Sequence, residues 1–138
     1  MNTKHPEPEE NRPLENQIDD PFIIYAQLAL QKLPKDLREK MINVSILVQD
    51  EPFDYQLKNH SQEQGLILGL YEGIPNPGKA FFYNFCLPDK ITLFRHNILK
   101  IAAWKKKDLR ELIAEVVYHE IGHHFGFNED DLESFKTV

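Results

Sequence analysis

With Cys86 as its only cysteine, the chain cannot close an intrachain disulfide, so a packed core has to hold its fold. Cys86 follows the run Phe81-Phe82-Tyr83-Asn84-Phe85 and reads as a small buried hydrophobe, not a reactive thiol. A long apolar run is missing, as is a charged-then-apolar signal segment. These absences argue against a membrane partner and, with the missing disulfide, for a reducing cytoplasmic location. Basic charge is scarce too: 16 Lys and Arg stand against 22 Asp and Glu, a net charge of -6 at pH 7. That balance offers no electrostatic footprint for nucleic acid or for an anionic membrane surface. Small molecules, peptides and basic segments are the partner classes left, and nothing in the chain specifies its oligomeric state.

What is present is enough for one ordinary domain: 138 residues with 41% hydrophobic content. Residues 1–19 hold three prolines, many acidic side chains and few apolar ones, too little to offset the entropy of ordering them, so they are expected to be a flexible tail before a single domain over 20–138. Asp20-Pro21 has the chemistry of a helix start, and the helix runs to Leu33 before Pro34 ends it. A short helical piece over 35–41 precedes the β-branched strand Val44-Ser45-Ile46-Leu47-Val48. The polar stretch 54–64, with Asn59 and Ser61 as turn formers, separates it from an expected strand over 65–71, where the glycines imply a bend or a close backbone approach. Gly73-Ile74-Pro75-Asn76-Pro77-Gly78 reads as a loop, the aromatic run 81–85 is ambiguous, and the alternation in 90–95 fits a half-exposed edge strand. Lys105-Lys106-Lys107 is expected to be solvated. In the final helix Asp108 is placed to cap, with Glu111 three residues on, and Leu109, Leu112, Ile113, Val116 and Val117 form the buried stripe up to Gly126. No internal repeat is visible.

That last helix carries His119-Glu120-Ile121-Gly122-His123. Positions four apart lie on one helical face, so both imidazoles can grip one zinc ion while Glu120 reaches a water bound to it. Catalytic zinc usually takes three protein ligands and keeps one position for water, so a further ligand is needed. A glutamate from a second helix far downstream is excluded, because only fifteen residues follow His123. In the shorter arrangement a glycine three residues after the second histidine turns the chain back under the metal, and a ligand follows three residues later. Gly126 and Glu129 hold those positions, with Asp130 the alternative and Asp131 and Glu133 behind it. A left-handed turn favours glycine at 126, and a cation suits the negative end of a helix. Zinc fits the mixed ligand set, although nickel, cobalt or copper can fill such a site in vitro. Glu120 is then the base that polarises the zinc-bound water and afterwards passes the proton to the leaving amine, while an exposed edge such as 91–95 could pair with an extended peptide. His124 points elsewhere on the helix. Arg95, His96 and Tyr71 could contact an oxyanion, with surface roles at strand ends as the plainer alternative.

These residues together resemble the minimal zincin-like metallopeptidases, a family of small bacterial proteins, over about residues 22–134. The likeness rests on Leu33-Pro34 with Asn43-Val44, on Gly69-Leu70-Tyr71-Glu72-Gly73-Ile74-Pro75, on Leu87-Pro88-Asp89-Lys90-Ile91-Thr92-Leu93-Phe94-Arg95, and on 119–132. It implies a compact α+β zincin-like fold, with a small mixed β-sheet packed against an N-terminal helix and a C-terminal active-site helix. Carried over by position, it implies zinc on His119, His123 and Glu129, with Glu120 as base and Gly126 as the turn. The family commonly has aspartate at the position of Glu129, whose extra methylene the turn has to absorb. The ligand spacing is also similar to that of metzincin peptidases, but no methionine follows Met41 to make a turn beneath the metal. The leading expectation is a zinc-dependent peptidase acting on peptides or unfolded segments, and the alternative is a noncatalytic zinc-binding interaction module. A metal-dependent ribonuclease is disfavoured by the missing third histidine and the acidic balance.

Overall fold

Asp20 and Pro21 begin the first helix as their chemistry requires. Asp20 stays extended and its Oδ1 accepts the Phe22 N–H at 2.9 Å, while Pro21 fills the first turn, where its missing N–H costs nothing. This helix, α1, spans Pro21–Gln31, and Lys32 caps it before Pro34. The computed structural model describes residues 20–58, 66–73, 89–126 and 130. The expected tail 1–19, Asn59, Ser61, the loop positions 74–78, the aromatic run 81–85, Cys86 and Glu129 lie outside the described residues.

After α1 come α2 (Lys35–Lys40), β1 (Val44–Gln49), α3 (Asp54–Lys58), β2 (Gly69–Glu72), β3 (Asp89–Phe94), α4 (Arg95–Lys105) and α5 (Leu109–Phe125). The strands form a mixed sheet in the order β1-β3-β2, with β1 parallel and β2 antiparallel to β3. This is the expected α+β arrangement, with an N-terminal and a C-terminal helix against a small mixed sheet. One face presents Ile46, Val48, Ile91 and Leu93 to a core shared with Phe22, Ala26 and Ala29 of α1 and with Ile113, Val116, Val117 and Ile121 of α5. The opposite face carries a smaller cluster of Ile67, Leu70 and Phe94.

Polar ties fix the helices to this sheet. Arg95 forms an ion pair with Asp20, which is almost wholly buried, and its guanidinium lies 4.8 Å from the centre of the Phe22 ring. The Tyr118 hydroxyl of α5 donates to the Ala29 carbonyl of α1 at 2.9 Å. Gln56 of α3, fully buried, exchanges side-chain amide hydrogen bonds with Gln49 at 3.1 and 3.3 Å and accepts the Phe53 N–H at 2.7 Å. Buried Asn97 donates from Nδ2 to the Ile67 carbonyl at 2.8 Å, which ties α4 to the approach to β2.

Four expectations need correcting. Residues 90–94 are not an edge: β3 lies between β1 and β2, and Ile91, Thr92, Leu93 and Phe94 have no exposed surface. The polar Lys90 and Thr92 imitate a solvated face, but Thr92 is buried. Arg95 opens a helix instead of ending the strand, and α4 follows β3 without a break. The stretch from Asp54 holds the short helix α3, whose buried Gln56 hides within a polar sequence. The strand expected over 65–71 starts only at Gly69. A Cβ on Gly69 would stand 2.6 Å from Val116 Cγ1, so the expected close approach is between β2 and α5.

Candidate metal centre

Asp108 caps α5 by accepting the Glu111 N–H at 3.2 Å, and the helix then holds its phase for 17 residues. Its buried stripe of Leu112, Ile113, Val116, Val117 and Ile121 sets which way the other positions point. His119 and His123 reach the surface, while Glu120 beside them is 7% exposed. Gly126 ends the helix at φ 78° with its N–H donating to the Gly122 carbonyl, the left-handed cap expected of it.

His119, Glu120 and His123 each bring a potential ligand atom to within 4.8 Å of the other two. The imidazole centroids of His119 and His123 are 4.1 Å apart. The two imidazole nitrogens are donors that zinc accepts, the Glu120 carboxylate stands beside them within reach of a bound water, and the last helical turn carries the negative end of the backbone dipole. The donor set therefore fits the metal. Asp130 is exposed and is not among the three.

Glu120 is held across the fold. Its Oε1 accepts the backbone N–H of Tyr71, on β2, at 3.1 Å. The Tyr71 ring stacks on His124 at 4.0 Å between centroids with 16° between planes, and it meets Phe125 edge-on at 6.2 Å. The Tyr71 hydroxyl donates to Asp89 Oδ2 at 2.8 Å. Burial, the hydrogen bond to Asp89 and the charge of Asp89 together push that hydroxyl far above the ordinary tyrosine range, so it stays a donor throughout neutral pH.

Arg95 and His96 sit elsewhere. They follow the C-terminal end of β3, whereas Asp89, which meets Tyr71, begins that strand. Arg95 faces Asp20, with Asp50 at 3.7 Å, and His96 lies 3.4 Å from Glu51. Of the three oxyanion candidates, Tyr71 is the one beside the site. Its main-chain contact with Glu120 spans 49 positions of sequence, so no local spacing announced it. Lys107, from the basic run expected to be solvated, pairs with Glu115 of α5.

Among the described residues, no helix is long and apolar enough to cross a membrane. No curated protein matches the chain. The family model described as zincin-like metallopeptidase matches residues 41–137. That span contains the whole sheet, α5 and the His-Glu-His group, and it leaves α1 and α2 outside.

Proposed function

This chain belongs to the zincin-like metallopeptidase family, and from that membership we propose that it hydrolyses peptide bonds, with zinc held by His119 and His123 and with Glu120 as general base. The convergence of His119, Glu120 and His123 within 4.8 Å carries this proposal. Glu129 is our third ligand, six residues past His123 and beyond the Gly126 turn, with Asp130 the alternative. Bound zinc supplies Lewis acidity, which acidifies water and polarises a scissile carbonyl.

Glu120 takes the proton from the attacking water and then gives it to the departing amine. Its burial supports that role, because little bulk water reaches the carboxylate to compete with the one water it meets. The substrate is a peptide or an unfolded segment. β2 suits it better than β3, since among the described residues β2 has no strand on its outer side; Glu120 holds the outward N–H of Tyr71, and the Tyr71 carbonyl on the same edge is the main-chain group offered to the peptide. An extended backbone paired there brings its carbonyls towards the end of α5. The acidic balance disfavours nucleic acid as a substrate.

Metal analysis combined with hydrolysis of a broad peptide library tests the proposal. One zinc per chain is expected, with His123→Ala losing it. Glu120→Gln should keep the zinc and lose hydrolysis by about a thousandfold. Zinc titrations of Glu129→Ala and Asp130→Ala decide between the two carboxylates. Stoichiometric zinc with no cleavage that depends on Glu120 would replace this proposal with a noncatalytic zinc-binding module.

A further inference from the structure

We infer that Tyr71 is the positioning residue of Glu120, an inference that rests on Glu120 being the general base. The phase of β2 sets up the contact. The Phe94 N–H donates to the Leu68 carbonyl at 3.0 Å, and in an antiparallel pair every second residue bonds the partner. Leu70 and Glu72 therefore face β3 with their main-chain groups, and Tyr71 turns its N–H the other way, onto Glu120 at 3.1 Å. A main-chain donor cannot swing as a side chain does. Its direction is that of the strand, so the carboxylate that accepts from it is aimed by the strand.

The side chain of Tyr71 keeps that strand where it is. The ring lies on His124, the residue after His123, and the hydroxyl reaches Asp89 at the start of β3. One residue thus joins three parts: the base through its backbone, the last turn of α5 through its ring, and the neighbouring strand through its hydroxyl. A reacting group misplaced by about 1 Å can lose about 100-fold in rate, so a group that fixes the carboxylate is felt in turnover more than in binding.

Amide exchange at position 71 in the full-length protein reads the contact without reference to activity. In Glu120→Ala the Tyr71 amide should exchange faster by roughly tenfold, while those of Leu70 and Glu72 keep their protection; Glu120→Gln, which retains an acceptor, should preserve all three. With a fluorogenic peptide library as substrate, Tyr71→Leu should keep its zinc and lower kcat by about 100-fold with KM little changed. Tyr71→Phe, which keeps the ring on His124, should recover most of that loss. Tyr71→Leu should cost nothing further in the Glu120→Gln background. A Tyr71 amide indifferent to Glu120→Ala, or losses that add in full in the double variant, overturns the inference. If the zinc-loaded wild type cleaves no peptide, the peptidase proposal fails on its own and the exchange result alone decides whether Tyr71 holds Glu120.

Discussion

Thr92 occupies the middle strand with no exposed surface, and among the described residues its Oγ1 has no hydrogen-bond partner. A buried hydroxyl left unsatisfied costs about 1–3 kcal/mol, and valine has nearly the same shape and the same strand preference. Thr92→Val is therefore expected to raise stability by about 1 kcal/mol in denaturant unfolding, with the slope unchanged. A lower midpoint would show that the hydroxyl has a role in the folded protein after all. Glu120 makes the opposite case: its buried carboxylate is met by a main-chain donor, the Tyr71 N–H.

At the scale of elements, two glycines carry separate constraints. Gly126 has a left-handed φ of 78° and open space where a Cβ would go, so Gly126→Ala should cost about 1 kcal/mol through backbone strain alone. Gly69 has no such torsion, but its added Cβ would collide with Val116; Gly69→Ala should cost about 2 kcal/mol, and Val116→Ala in the same chain should return part of it. Thermal or denaturant melts of the three variants and the double variant check both. The ends of α1 and α5 were legible in the sequence because caps are local: Asp20-Pro21, Asp108 and Gly126 each act within a few residues. The start of α4 was not, since Phe94 precedes it without a side-chain cap and the chain passes straight from strand to helix. His119, Glu120 and His123 were equally legible, because a spacing of four on a helix is itself geometry. The central place of β3 was hidden, as strand order depends on a crossover and not on the strand's own residues. The hold of Tyr71 on Glu120 was hidden for the same reason.

At the scale of the whole molecule, the family match begins at residue 41, yet the core does not. Phe22, Leu33 and Leu37 each have 6% exposure or less, and α1 packs directly on α5. Burying each such side chain contributes about 2 kcal/mol, and the sum approaches the entire stability of an ordinary domain. A fragment of residues 41–138 is therefore expected to show no cooperative thermal transition, while the full chain melts in one. A sharp transition in the fragment would mean that α1 decorates the core and does not complete it.

The parallel pairing of β1 with β3 also has a meaning in time. A ribosome releases Val44–Gln49 well before its partner Asp89–Phe94 exists, and α1 waits longer still for α5, the last of the described helices to emerge. Contacts of such long sequence separation form late and exchange slowly with their alternatives. His119 and His123 ride on the very segment whose arrival closes this core, so the candidate metal site can assemble only once that segment has been made.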